Sequence, residues 1–340
     1  MLVNLHDTIS VASKLTPKRV ANAWNIWASY QKSVRSGTSQ ISGLPISMAI
    51  EPTTSCNLRC PECPSGLRSF TRPTGKLDVE LFSKIMHEVA PHLMYLTFYF
   101  QGEPYLNPRF LDMVKIACKH NVYTTTSTNA HFLNDRNARN TVQSGLNRLI
   151  ISIDGASQTT YESYRKEGKL EKVLEGTKNI LKWRRELKSK TPKVVWQFLV
   201  VKPNEHEIPQ IKRLAKEYEV DKVVFKTAQI YDYQQGNELI PSVDKYSRYK
   251  ANSNGTYSIK NSLENKCWKM WQSCVITWDG QVIPCCFDKD ASHSMGNISA
   301  QSFKEIWHSH AYQGFRNALL NSRSDIEICK NCTEGLKVWA

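Results

Sequence analysis

The stretch Ile46-Ser-Met-Ala-Ile-Glu-Pro-Thr-Thr-Ser-Cys56-Asn-Leu-Arg-Cys60-Pro-Glu-Cys63 decides how the chain is read. It opens as a short apolar run of strand character and ends in a loop with cysteines in C-x3-C-x2-C spacing. A structural zinc or an electron-transfer iron-sulfur cluster normally takes four protein ligands. Three thiolates on a 4Fe-4S cube therefore leave one iron open for chemistry. The plain alternatives are a zinc loop or reduced buried thiols.

Working outward, strand-like runs are expected over 46–51, 93–100, 122–127, 148–153, 194–201 and 223–227, with amphipathic helical stretches between them. One helix shows Leu81, Phe82, Ile85, Met86 and Val89 on a common face, with Asp78 placed as N-cap. Strand then helix, six times over, reads as an α/β fold, a parallel barrel that is complete or partial. Chemistry in such barrels sits on loops leaving the C-terminal ends of the strands, and the three-cysteine loop follows strand one there.

These cysteines and their setting resemble the radical S-adenosylmethionine (SAM) superfamily. The resemblance implies a partial (β/α)6 TIM-like barrel and a 4Fe-4S cluster held by Cys56, Cys60 and Cys63, whose open iron binds the amino and carboxylate groups of S-adenosyl-L-methionine. Gln101-Gly102-Glu103-Pro104, after strand two, is close to the family's Gly-Gly-Glu-Pro motif, with Gln101 replacing the first glycine. On that resemblance Gly102 lets the backbone approach SAM and Glu103 meets its ammonium. Ser127-Thr128-Asn129 and Ser152-Ile153-Asp154-Gly155 resemble the polar strand ends that line the SAM ribose and carboxylate. Thr128, Asn129 and Ser152 are the contacts implied. Arg165 stands where sulfatase-maturating relatives place an arginine for the SAM carboxylate, a surface salt bridge being its plain alternative. Leu199 on strand five is implied near adenine or else in the core. Many relatives carry an aromatic residue before the third cysteine, whereas this chain has Glu62.

Cys267, Cys274, Cys285, Cys286, Cys329 and Cys332 follow downstream. Asp279-Gly280 reads as a hairpin turn joining 275–278 with 281–285, and Ser302 and Glu305 form a capping box before a helix. This group resembles the SPASM or shorter twitch extension that holds auxiliary 4Fe-4S clusters. Two fully ligated extra clusters need eight cysteines and six are present, so one is expected. The pattern Cys267-x17-Cys285-x43-Cys329-x2-Cys332 resembles the one-cluster twitch of an aminocyclitol dehydrogenase and assigns those four as ligands. Adjacent strand residues face opposite ways, so only one of Cys285 and Cys286 is expected at the cluster, and a swap between them stays open. Cys118 reads as a small buried hydrophobe, and zinc remains the competing metal for the C-terminal group.

The 340 residues suit a large domain with a smaller appendage. The expected division is a helical extension over 1–45, a barrel over 46–228, a linker over 229–265 and a cysteine-rich domain over 266–340. The extension carries a stripe of Val20, Ala23, Trp24, Trp27, Tyr30 and Val34 with basic neighbours Lys18, Arg19, Lys32 and Arg35. It reads as a helix packed on the barrel or, more sharply, as a face for a membrane or lipid carrier. No signal-peptide pattern and no run of 18 or more apolar residues appear, which together with metal-ligand cysteine spacing suggests the cytoplasm. The formal charge of +14 reads first as a solvated basic surface.

The resemblance implies reductive SAM cleavage to methionine and a 5'-deoxyadenosyl radical, which takes hydrogen from a substrate. A cysteine-ligated auxiliary cluster would accept a second electron, so oxidation is the expected reaction, with flavodoxin or ferredoxin as reductant. Candidate substrates are a sugar or cyclitol, small or carrier-bound, or a peptide or protein side chain. Forty-five residues before strand one are few for a leader-binding domain, which tilts the expectation toward the former. The alternative of another class is a basic iron-sulfur or zinc scaffold for nucleic acid, although no nucleic-acid module accompanies the charge.

Overall fold

The computed structural model describes residues 5–336. Two helices, α1 (Leu5–Ala12) and α2 (Pro17–Ser36), precede the barrel. There follow β1 (Ser47–Ile50), α3 (Pro64–Leu67), α4 (Val79–Val89), β2 (Tyr95–Thr97), α5 (Phe110–Lys119), β3 (Tyr123–Thr128), α6 (Asp135–Gln143), β4 (Arg148–Ser152), α7 (Gln158–Tyr164), α8 (Leu170–Glu186), β5 (Lys193–Val200), α9 (Ile208–Glu217) and β6 (Lys222–Thr227). Strands β1 to β6 lie side by side in chain order and pair in parallel, the partial barrel the alternation implied. Asp78 caps α4, accepting from the amides of Glu80 and Leu81.

Alternation along the strands sets which side chains face the lumen. Trp196, Phe198 and Val200 are buried, and the Trp196 indole donates to Thr177 Oγ1 on α8 at 3.1 Å, so this face of β5 meets the helices. Gln197 and Leu199 face the lumen, and the parallel register sets Ser152 beside Gln197 and Lys226 beside Leu199. At the other end of the barrel, Asp7 of α1 is buried between the Tyr123 hydroxyl and the Arg148 guanidinium.

The remaining elements are β7 (Tyr249–Ala251), β8 (Tyr257–Ile259), α10 (Lys269–Gln272), β9 (Ser273–Ile276), β10 (Gln281–Ile283), β11 (Gly296–Asn297), α11 (Phe303–Trp307) and α12 (His310–Ser322). β7 and β8 form a hairpin within 249–259, a stretch that reads as plain loop in sequence. The β9–β10 hairpin turns at Gly280, whose φ of +84° suits glycine. It does not stand apart from the barrel: β9 pairs in parallel with β1 from Ser47 with Ser273 to Ile50 with Ile276, making one nine-stranded sheet. The pairing covers backbone groups that β1 would otherwise expose as an edge.

Helix α2 splits the stripe seen in sequence. Ala23, Ile26 and Tyr30 are buried, Tyr30 edge-on to Trp268 and Trp271 at 5.2 and 5.3 Å, while Trp24 is 64 % exposed and lies against Trp27. Arg19, which reads as a surface cation, is buried at 3 % exposure. Its guanidinium donates to the carbonyls of Lys14, Asn121, Ala90 and His120 at 2.6, 2.6, 2.9 and 3.0 Å, which closes the C-terminal ends of α4 and α5. No helix among the described residues is long and apolar enough to cross a membrane. Charged hydrogen bonds to buried carbonyls contribute about 1.5–3 kcal/mol each. Arg19→Ala is expected to lower stability by about 3 kcal/mol, read as a shifted urea midpoint with an unchanged slope.

Candidate active site

The loop leaving β1 carries the first three cysteines and is fixed at both ends. Glu51, fully buried, takes Arg72 in a two-point ion pair at 2.6 and 2.9 Å and accepts from the Trp278 amide at 3.3 Å. Burial raises the Glu51 carboxyl and the Arg72 guanidinium opposes that rise. One clamp thus holds the tail of the cysteine loop and the β9–β10 turn to the end of β1.

The loop after β2 lies directly on the cysteine loop. Gly102 has a φ of +73°, and a Cβ there would stand 2.2 Å from the Thr53 carbonyl oxygen and 2.8 Å from that of Ser55. Close approach of the two backbones is what demands glycine at this position. The Glu103 amide donates to Ser55 O at 2.8 Å, and Gly66 has the backbone of Cys60 where a Cβ would sit.

A single cavity is lined by Cys56, Cys60, Cys63, Tyr99, Gly102, Glu103, Ser127, Thr128, Asn129, Ser152 and Arg165, among others. Every residue that the resemblance implies for the first cluster and for SAM is there except Leu199. That residue gives its amide to Asp154 Oδ1 at 2.6 Å and packs by the cluster of Leu58, Tyr164 and Val201. Each thiol meets one polar side chain from a different loop: Gln101 Oε1 is 3.9 Å from Cys63 Sγ, Asn129 Nδ2 3.9 Å from Cys56 Sγ, and Arg165 Nη1 3.7 Å from Cys60 Sγ. The Gln101 amide can turn to offer its N–H once Cys63 is a thiolate. Burial pushes the Cys56 thiol up to about 12 and raises that of Cys60, so metal binding is what would deprotonate them. Three thiols, each faced by a donor or a reversible amide, fit a cluster bound through three corners.

Glu103 is nearly fully buried. It accepts from Thr128 Oγ1 at 2.7 Å and from the Asn129 amide at 2.8 Å, which ties the end of β3 to the loop after β2. Burial pushes its carboxyl up to about 7 against the pull of these hydrogen bonds. A carboxylate in such a site gains by meeting an ammonium. Arg165 is not a surface cation: its Nε pairs with fully buried Asp154 at 2.5 Å. Asp154 therefore aims Arg165 at Cys60 and pins the backbone of β5. In sequence Asp154 reads only as part of a strand end and Gln101 only as a departure from the motif. Glu62, the other departure, accepts from the Tyr231 amide at 2.9 Å and so anchors the segment that follows β6.

In the second group Cys267, Cys329 and Cys332 are buried. A Cβ at Gly335 would meet Cys267 Sγ at 2.3 Å, and the Arg323 guanidinium reaches Cys332 Sγ at 3.5 Å. Cys285 and Cys286 lie past the end of β10, in a turn, so the facing rule of a strand does not separate them. The two thiols act on each other, which raises Cys285 and lowers Cys286, and Lys269 lies close enough to help hold Cys286 low. Cys274 lies buried on β9, and Cys118 gives its S–H to Gly145 O at 3.3 Å. Among the described residues no three His, Cys, Asp or Glu side chains close on a single-ion pocket. A cube, with each thiolate on its own iron, asks for thiols set farther apart than one tetrahedral ion does.

Residues 50–215 match the Radical SAM superfamily model, and residues 267–333 match that of SPASM, an iron-sulfur cluster-binding domain. The chain is 27 % identical over 320 residues to the tungsten-containing aldehyde ferredoxin oxidoreductase cofactor-modifying protein of Pyrococcus furiosus, covering 83 % of this chain and 87 % of that one. It is 24 % identical over 295 residues to the PqqA peptide cyclase of Bradyrhizobium diazoefficiens, covering 81 % and 73 %. Its fold is similar to that of BtrN in complex with AdoMet and 2-DOIA, at 20 % identity, a TM-score of 0.54 and coverage of 88 % and 97 %. It is also similar to Streptococcus suis SuiB bound to S-adenosylmethionine, at 13 % identity, a TM-score of 0.63 and coverage of 91 % and 76 %.

Two outcomes are expected. A glutamate at about 4.5 unfolded and about 7 folded binds more protons in the folded state between those values, so stability falls as pH rises through that window. The loss amounts to about 3 kcal/mol, and chemical denaturation of cluster-free Glu103→Gln across the same pH range should lack it. Separately, on the one-cluster spacing that assigns Cys285, Cys285→Ala should lose the auxiliary cluster's iron while Cys286→Ala keeps it, and the reverse outcome would assign Cys286; iron and sulfide content in a Cys56→Ala/Cys60→Ala/Cys63→Ala background measures it.

Proposed function

The chain belongs to the radical SAM superfamily and carries a SPASM iron-sulfur domain, and on that premise we propose that it oxidises a sugar- or cyclitol-type substrate, small or carrier-bound. When bound, the first cluster and SAM supply reductive cleavage to methionine and a hydrogen-abstracting 5'-deoxyadenosyl radical. In this reading Cys56, Cys60 and Cys63 hold that cluster, and Gly102, Glu103, Thr128, Asn129, Ser152 and Arg165 hold SAM. Cys267, Cys285, Cys329 and Cys332 hold the auxiliary cluster.

The observation that carries the reading is the lumen between the two cysteine groups. Tyr99 lines the first cavity, and its hydroxyl, raised chiefly by burial, also feels Cys286 and Lys269. The register turns Ser127, Gln197 and Lys226 to the same space. Hydroxyl, amide and ammonium groups suit a polyhydroxylated substrate. A carbinol carbon that gives up its hydrogen atom there, then its hydroxyl proton and one electron, becomes a carbonyl. The electron leaves toward the second cysteine group. A one-electron donor of the flavodoxin or ferredoxin kind supplies the first electron.

Likeness to BtrN in complex with AdoMet and 2-DOIA supports a small ligand. Likeness to the PqqA peptide cyclase supports the alternative of a peptide or protein side chain. Anaerobic turnover with SAM and dithionite over free cyclitols and amino sugars, their carrier-linked forms, and serine- and cysteine-containing peptides separates the two. The expected product has lost two hydrogens, with one 5'-deoxyadenosine formed per product. Cys267→Ala/Cys329→Ala should still cleave SAM but release no oxidised product. Modification of peptides alone would sink the proposal.

A further inference from the structure

Two arginines of the C-terminal domain, Arg316 and Arg323, are fully buried, and neither has a carboxylate within ion-pair distance among the described residues. A buried charge needs compensation, since removal from water costs several kcal/mol. Arg316 has an evident answer: its guanidinium sits on the faces of Trp307 and Tyr312 at 4.3 and 4.0 Å. Arg323 has no such ring among the described residues.

What surrounds Arg323 is sulfur. Its Nη2 lies 3.5 Å from Cys332 Sγ, and its charge acts on Cys267, Cys329 and Cys332 together. The same guanidinium donates to Lys266 O at 2.9 Å and to Glu334 O at 2.8 Å, carbonyls beside Cys267 and Cys332. Its amide meets Asn265 Oδ1 at 3.0 Å. The fork is thus fixed from both sides, yet its Nε is buried with no protein acceptor. Neutral thiols do not compensate a buried cation, whereas cluster-bound thiolates do.

We propose that Arg323 is the charge partner of the auxiliary cluster, set among Cys267, Cys329 and Cys332 to balance their thiolates and to raise the cluster's reduction potential. This rests on the ligand set proposed above. A fixed cation beside the cluster stabilises the added electron, and N–H groups aimed at sulfur act in the same direction. Arg323 is in this sense a positioning residue that makes the second cluster a better acceptor for the substrate's electron. Unlike a lysine, it holds its charge in place through a planar fork.

The test uses the full chain with Cys56→Ala/Cys60→Ala/Cys63→Ala, so that one cluster remains, and follows its midpoint potential by an EPR-monitored redox titration. Adding Arg323→Met should leave the iron content unchanged and lower the reduction equilibrium at least tenfold, which is 59 mV for one electron. Arg323→Lys should fall between that variant and its parent. An unchanged midpoint at full iron content would overturn the proposal. Should Arg323→Met fail to keep its cluster, Arg323→Gln decides, because it removes the charge yet still offers N–H groups to the Lys266 and Glu334 carbonyls. A midpoint lowered as for Arg323→Met supports the proposal, and the parent's midpoint overturns it. Absence of iron from the parent itself would instead strike the ligand set, and this inference with it.

Discussion

Parallel hydrogen bonding between β1 and β9 is the constraint on which the rest of the molecule depends. β1 delivers the three-cysteine loop, and β9 begins the hairpin that leads to Cys285 and Cys286. Pairing their backbones makes the C-terminal cysteine module a continuation of the barrel wall. The Glu51 clamp on Arg72 and Trp278 reinforces the seam where both strands end. Were the second module tethered by a loop alone, its distance from the first cavity would vary.

Around that seam, buried charges are placed only where something answers them. Glu51 meets Arg72 and Asp154 meets Arg165. Arg19 meets the open carbonyl ends of two helices, and Arg316 meets two aromatic faces. Glu103 accepts from neutral donors, Thr128 Oγ1 and the amides of Asn129 and Tyr105. Arg323 faces thiols. Glu103 and Arg323 stand at the positions where the radical SAM and SPASM resemblance calls for SAM and for a cluster.

The order of strands, the cysteine loop and the Gly102-Glu103 pair were legible because each is local. A run of apolar residues, a three-cysteine spacing and a turn after a strand need no knowledge of distant chain. What escaped was long-range. Nothing near Ser273–Ile276 says that its partner is β1 rather than only the strand after its own turn. Arg19 reads as one more surface cation until α4 and α5 are brought to it, and Asp154 acquires its role only when Arg165 and Leu199 converge on it. The facing rule of a strand does not reach Cys285 and Cys286, because β10 stops at Ile283. The stripe of α2 has a helix's period yet spans two faces, one packed on Trp268 and Trp271 and one presenting Trp24 to solvent.

The central claim is that one barrel holds two clusters with different jobs, catalysis at Cys56, Cys60 and Cys63 and electron acceptance at the C-terminal set. Anaerobic iron and sulfide quantification on reconstituted wild type beside Cys56→Ala/Cys60→Ala/Cys63→Ala, with 5'-deoxyadenosine assayed after SAM and dithionite, tests it most directly. The account predicts about eight irons in wild type and about four in the variant, with nucleoside formed by wild type alone. About four irons in both proteins and no 5'-deoxyadenosine from either would contradict it.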